Sequence, residues 1–298
     1  MRDDTQNHIH TYTVRSFTQH PTGGNPAGVV LDAKGLTASQ MKSISQQLQV
    51  SETAFVFPSA TADVKTRFFS PKTEVDLCGH ATIALFYLLG NTTYKGTTTA
   101  LMTIMQETRV GLLPVTMYFS QGECIKVMMQ QQTPVITPCA IHLKKLCDAL
   151  HIHKEDIDTS LPFQRVSTGL FTLPIGLQSF SLLQQLQPDF SQIQTLCKQY
   201  DIGSFHVYTF DTKEPTSVYH ARNFAPCYGI NEDPVTGTAN GAVCSYLAHH
   251  KKISETRLIC EQGDIMGSPG RVHVNLQKGV HVGGHAVLVQ QQRIPVNP

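Results

Sequence analysis

Two hydrophobic periods run through the chain. Segments 12–17, Thr53–Phe57 and Val64–Phe69 are rich in β-formers or alternate apolar with polar, and predict strands. Segment 37–48 places Met41, Ile44 and Leu48 at helical spacing behind Thr37, a residue suited to an N-cap, and predicts an amphipathic helix. Segment 22–28 is dense in turn formers and predicts a loop, with the sheet resuming at 29–31. Segment 81–89 is apolar on nearly every side, so a helix there must be enclosed.

Beyond it, 97–132 predicts several short strands, and 134–138, with Pro at each end, a linker. A short helix follows over 142–150, then strand-like sequence over 165–177 with a Gly-Leu break, and a helix over 190–200. Strands are expected over 206–210 and 218–224, a second apolar helix over 239–249, and three or four short strands over 257–289.

The pattern repeats. Arg67-Phe68-Phe69-Ser70-Pro71 and Arg222-Asn223-Phe224-Ala225-Pro226 share R-x-F-x-P, and each runs through an acidic stretch to a glycine, Gly79 or Gly237, that opens an apolar helix. The offset is 155 residues at the Pro and 158 at the Gly, so the second copy is three residues longer. Two halves of one architecture are expected, with a cleft between them as the favoured ligand site.

Composition narrows the chemistry. With 298 residues, 41% hydrophobic, the chain can form one large or two medium domains and is not disordered. Lys plus Arg is 23 against 22 acids, without a run of either sign, which sets nucleic acid aside as a partner. No stretch approaches the roughly 20 apolar residues of a membrane helix. The polar N-terminus, with Asp3 and Asp4, reads as neither signal nor transit peptide, so a cytoplasmic location is expected. The eight cysteines include no C-x-x-C, and the 14 histidines no H-E-x-x-H, so free thiols and no metal are expected.

Helix starts leave backbone N–H groups without internal partners, at the positive end of the dipole. The starts at Gly79 and Gly237 thus present two candidate anion cradles, although a glycine turn before a buried helix serves packing equally well. Glu52 heads an apolar strand in one half only, its aligned position in the other being near Phe205. A carboxylate in apolar surroundings holds its proton more readily and can shuttle it; an exposed strand-start Glu would do nothing of the kind. His80 can donate to a developing oxyanion or satisfy a carbonyl, Asp233 can orient a substrate or cap a turn, and Cys78 can be a base or an inert apolar group.

Several motifs together resemble the phenazine biosynthesis-like isomerases, within the diaminopimelate epimerase and proline racemase fold. They are Gly24-Asn25-Pro26-Ala27-Gly28-Val29, Ser51-Glu52-Thr53-Ala54-Phe55-Val56, the Arg67–Pro71 segment, Asp76-Leu77-Cys78-Gly79-His80-Ala81-Thr82, Ser167-Thr168-Gly169-Leu170 and Glu232-Asp233-Pro234-Val235-Thr236-Gly237-Thr238-Ala239, in family order across nearly the whole chain. The resemblance implies an α+β fold of two pseudo-symmetric halves, 1–132 and 133–298, each a β-barrel-like sheet around a central helix (81–89 and 239–249), the final strands being able to cross back to the first half.

It implies Glu52, His80 and Asp233 as catalytic residues, and Asn25, Gly79, Ala81, Gly237, Thr238 and Ala239 as substrate-binding ones. Thr238 stands where the family more often has Ser, and Asn240 where it often has His. Racemase relatives use two facing cysteines; here Cys78 is present and Thr236 holds the opposing position, which disfavours a two-thiol mechanism because Thr cannot act as a thiolate. The expected activity is a cofactor-independent proton shift on a small carboxylate-bearing substrate, amino-acid-derived or cyclic and conjugated, in a biosynthetic role, with a homodimer as the family tendency. The alternative is a small-ligand or partner-binding protein on the same scaffold.

Overall fold

The structure, a computed structural model, describes residues 8–296. All but the last residue of the polar N-terminus lies outside the described residues. The chain forms two units: one holds the described residues up to Gln130 together with those from Gly283 onward, the other is Gln131–Val282.

The first unit contains strands β1 (His8–Ser16) and β2 (Asn25–Val30), helix α1 (Ala38–Leu48), strands β3 (Thr53–Phe57), β4 (Val64–Phe69) and β5 (Glu74–Val75), helix α2 (Gly79–Thr92), and strands β6 (Leu101–Thr108), β7 (Gly111–Ser120) and β8 (Glu123–Gln130). β1 and β2 pair antiparallel, β2 and β3 parallel, β3 and β4 antiparallel, and β4 takes β5 antiparallel and β6 parallel. Antiparallel β6–β7 and β7–β8 pairs complete the run. α2 touches β1, β2, β3, β7 and β8, and buries Ala81 through Phe86 on consecutive positions. A helix apolar all round is stable only when strands cover it on several sides.

The second unit contains β9 (Val135–Pro138), α3 (Leu143–Leu150), β10 (Gln164–Ser167), β11 (Phe171–Gly176), α4 (Phe180–Gln185), α5 (Phe190–Tyr200), β12 (Ser204–Thr209), β13 (His220–Ala225), β14 (Ile230–Asp233), α6 (Gly237–His249), β15 (Arg257–Gln262), β16 (Gly270–Asn275) and β17 (His281–Gly284), whose last two residues already belong to the first unit. β18 (Ala286–Pro295) pairs antiparallel with β1 in the first unit. Within the second unit the pairing order repeats that of the first: β10–β11 antiparallel, β11–β12 parallel, β12–β13 antiparallel, then β13 with β14 antiparallel and β15 parallel. α6, buried nearly end to end, touches β10, β11 and β16. This is the α+β, diaminopimelate epimerase-like architecture of two pseudo-symmetric halves around central helices.

The repeated R-x-F-x-P has a physical cause. Arg67 donates from Nε and Nη2 to both carboxylate oxygens of Glu74, each at 2.8 Å, and Arg222 does the same to Glu232, each at 2.8 Å. Each guanidinium also lies over the Phe two residues on, 5.2 Å from the Phe69 centroid and 5.0 Å from that of Phe224. The fork therefore joins β4 to β5 and β13 to β14, ahead of each central helix.

Three readings of the sequence change, and a fourth sharpens. The 134–138 linker is a strand, β9, paired with β10 from Val135↔Ser167 to Pro138↔Gln164, because Val135, Ile136 and Thr137 favour extended backbone and the prolines only flank them. The turn-rich 22–28 loop is a strand from Asn25 on; Pro26 faces Arg15 of β1, and β3 joins β2 only from Gly28, so no ladder bond to β3 is lost at the Pro. The position near Phe205 that aligns with Glu52 is Ser204, since Phe55 pairs with Arg67 as Val207 pairs with Arg222. α4 adds a helix that the hydrophobic pattern does not predict, capped by Ser179, which accepts from Leu182 N at 3.3 Å. Among the described residues no helix is long and apolar enough to cross a membrane.

Candidate active site

In the first unit the site is built where β2, β3 and α2 begin. Gly28 N donates to the Glu52 carbonyl at 2.9 Å and holds the residue ahead of β3. Gly28 must be glycine, because a Cβ there would meet Thr53 Oγ1 at 2.5 Å and Leu48 Cδ1 at 2.7 Å. Ser16 Oγ donates to the His80 carbonyl at 2.7 Å, and Ser16 pairs with the buried Asn25, so β1 and β2 together fix the first turn of α2.

Three side chains converge there. Glu52 Oε2 lies 3.4 Å from His80 Nε2 and 3.8 Å from Cys78 Sγ. His80 Nδ1 lies 3.4 Å from Cys78 Sγ, and its Nε2 is 3.2 Å from Ser51 Oγ. The His80 and Glu52 side chains are 11% and 15% exposed, so both are largely shielded. The exposed-Glu reading of Glu52 therefore fails. Cys78 is the N-cap residue of α2, and the first internal bond runs from Thr82 N to Cys78 O at 3.0 Å. The first-turn amides ahead of that bond are those of Gly79, His80 and Ala81, at the positive end of the dipole. Among the described residues, Glu52, Cys78 and His80 also form a set whose metal-ligating atoms all lie within 4.8 Å of one another.

In the second unit, Asp233 ends β14, and Thr236, the N-cap residue of α6, donates from Oγ1 to Asp233 Oδ2. The first internal bond of α6 is Asn240 N to Thr236 O, 3.2 Å, so Gly237, Thr238 and Ala239 supply its first-turn amides. Thr168 Oγ1 donates to the Thr238 carbonyl at 3.2 Å, which accounts for the Thr in Ser167-Thr168-Gly169-Leu170. Where the first unit carries Glu52, the second has Ser204, whose Oγ donates to Thr172 Oγ1 at 2.8 Å. The carboxylate is thus on one side of the repeat only.

Sequence reasoning missed two supports. Ser51 stands directly before Glu52 in the Ser51–Val56 motif, and only its position beside His80 shows its use. Gln262 carried no motif at all. It accepts from Thr236 N at 3.0 Å and Asn240 Nδ2 at 2.8 Å, and donates to the Asp233 carbonyl at 2.9 Å and Thr236 Oγ1 at 3.2 Å. Nearby, burial lowers His206 from the ordinary 6.5 to about 4, and its Nδ1 lies 3.2 Å from Asn223 Oδ1 on the strand paired with Asp233.

Comparison with known proteins agrees with this architecture. Residues 14–292 match the phenazine biosynthesis-like protein family, and the chain belongs to it. Among curated relatives it is 37% identical to the uncharacterized isomerase YfhB of Bacillus subtilis, covering 91% of this chain and 90% of that protein. It is 28% identical to the trans-2,3-dihydro-3-hydroxyanthranilate isomerase of Pseudomonas aeruginosa, covering 96% and 99%. Among solved structures, a phenazine biosynthesis protein of the PhzF family from Bacillus anthracis superposes with TM-score 0.86 at 31% identity, covering 97% and 99%. A hydroxyproline epimerase from Agrobacterium vitis, 12% identical with TM-score 0.63 over 98% of this chain and 94% of that one, shares the fold. The relatives support the isomerase class for this chain.

Proposed function

We propose that the protein is a cofactor-independent isomerase that moves a proton on a small carboxylate-bearing substrate, amino-acid-derived or cyclic and conjugated, with Glu52 as the proton carrier. The observation that supports it best is the shielded Glu52 carboxylate 3.4 Å from His80 Nε2 at the first turn of α2. His80 lies beside the carboxylate, and the neighbouring helix amides are suited to a substrate carboxylate or to charge that develops as the proton leaves.

In this scheme Glu52 takes a proton from a carbon next to a conjugated system, and the C–H electrons shift the double bond. The resulting glutamic acid returns the proton to the far carbon of the same system. Nothing is oxidised or reduced, and the carboxylate is regenerated. A single carboxylate serves both steps when they occur on one face of the substrate, in keeping with Ser204 at the counterpart position. Asp233, bonded to Thr236 at the start of α6, is assigned to substrate positioning and proton relay.

The test is proton exchange in heavy water with trans-2,3-dihydro-3-hydroxyanthranilate and related cyclic amino acids as probes. Wild-type protein is expected to incorporate deuterium. Glu52→Gln, which keeps the side-chain volume, is expected to slow incorporation by about 10²–10⁴-fold while remaining folded. Undiminished exchange in folded Glu52→Gln would remove Glu52 from the mechanism, and a wild-type protein that binds the probes without exchanging them is a binding protein.

A further inference from the structure

Proton transfer needs a carboxylate and something to aim it; it does not need a thiol beside both. Cys78, His80 and Glu52 together are a sulfur, nitrogen and oxygen donor set of the kind that suits Zn²⁺ and its borderline-soft neighbours. Geometry makes the comparison quantitative. With Zn–S of about 2.3 Å and Zn–N and Zn–O of about 2.0–2.2 Å, tetrahedral neighbours lie about 3.3–3.6 Å apart. Here Sγ–Nε2 is 3.9 Å, Sγ–Oε2 3.8 Å and Nε2–Oε2 3.4 Å. Shifts of a few tenths of an ångström, within ordinary side-chain freedom, bring all three to the ideal triangle.

The backbones that carry the donors are held from outside the cluster. Ser16 Oγ fixes the His80 carbonyl at 2.7 Å, Gly28 N fixes that of Glu52 at 2.9 Å, and Cys78 caps α2 with its own carbonyl bonded to Thr82 N and Oγ1. Such anchoring lowers the ordering entropy that a cation would otherwise have to overcome. Three protein donors leave the fourth tetrahedral position to water or another small ligand, and the partly exposed His80 and Glu52 side chains give access.

We propose that Glu52, Cys78 and His80 form a three-ligand site for a Zn²⁺-class cation, and that its occupancy stops proton transfer. On binding, the Cys78 thiol releases its proton to solvent, and sulfur, imidazole nitrogen and carboxylate oxygen each donate a lone pair; no electron changes hands. The inhibition rests on the proposed role of Glu52, whose oxygen the cation would engage. The binding does not.

Co²⁺ is the probe, because thiolate-to-Co²⁺ charge transfer absorbs light and reports the sulfur ligand. Metal-stripped full-length protein is expected to bind one Co²⁺ per chain with that absorption and to lose it when Zn²⁺ is added. Cys78→Ser is expected to abolish the absorption, and His80→Asn and Glu52→Gln to weaken binding at least about tenfold. Cys227→Ser, at the half-buried cysteine outside the cluster, should alter neither. Lack of saturable Co²⁺ binding by the wild type overturns the site, as does an absorption that survives in folded Cys78→Ser. Deuterium exchange that continues undiminished with one Zn²⁺ bound overturns the inhibition. Should Glu52→Gln retain exchange but lose Co²⁺ affinity, the metal site stands and the catalytic role of Glu52 falls.

Discussion

At the scale of single residues, Gln262 has its whole carboxamide committed. Buried without exposure at the end of β15, it bonds Thr236, Asn240 and Asp233 at once, and Asn240 in turn accepts from Tyr219 Oη at 2.8 Å. Replacing it with Leu leaves the Thr236 N–H and one Asn240 donor without this acceptor. Each such buried loss is worth about 1–3 kcal/mol. Gln262→Leu is therefore expected to lower unfolding free energy by roughly 2–5 kcal/mol. Urea denaturation monitored by far-UV circular dichroism checks it, and a variant as stable as wild type would show that the network is not holding the turn. This residue also marks the limit of reading from sequence. Glu52, His80 and Asp233 stand in contiguous motifs with a chemical rationale. Gln262 acts on partners 22 to 29 positions away and carries no local pattern.

Elements were legible where a local period or cap decides them. α1 starts as expected, with Thr37 accepting from Gln40 N at 3.2 Å and Gln40 Oε1 accepting from Thr37 N at 2.9 Å, a complete capping box. β9 and the start of β2 were not legible, because their extended form comes from ladder partners distant in sequence that outweigh local turn propensity. Helix-to-strand spacing was equally hidden. Gly90 on α2 faces β8, and a Cβ there would meet Cys124 Cβ at 2.5 Å and its Sγ at 2.9 Å. Ala is the better helix former, by about 0.8–1.0 kcal/mol on an open surface. Here overpacking of about 1–3 kcal/mol should outweigh that gain. Gly90→Ala is thus expected to lower the thermal midpoint by calorimetry, and a raised midpoint would mean that α2 and β8 separate freely.

Across the molecule, the response to acid follows from two buried groups of the second unit. Burial lowers His206 from 6.5 to about 4. Burial alone would raise Glu261, but His220, at 2.7 Å, and the Lys213 and Glu214 amides outweigh it and bring the carboxyl from 4.5 to about 2. Both groups hold protons less tightly folded than unfolded, so the unfolded chain takes up more protons as pH falls and stability drops with it. The His206 contribution is complete above pH 6.5 and lost as pH falls to about 4; that of Glu261 is complete above 4.5 and lost toward about 2. At about 1.4 kcal/mol per unit of displacement, each is on the order of 3–4 kcal/mol. Urea midpoints measured from pH 8 down to 3 should therefore fall from near 6.5 and continue to fall below 4.5. His206→Gln should be less stable at neutral pH yet flatten the upper limb relative to wild type, while Glu261→Gln should flatten the lower one. The difference between each variant and wild type isolates the group from the other titrating histidines. If His206→Gln keeps the full slope between pH 6.5 and 4, acid sensitivity in that window comes from elsewhere. Hydrogen exchange would add the location, because β12 carries His206 and β15 carries Glu261, and both strands should lose protection as these two groups take up protons.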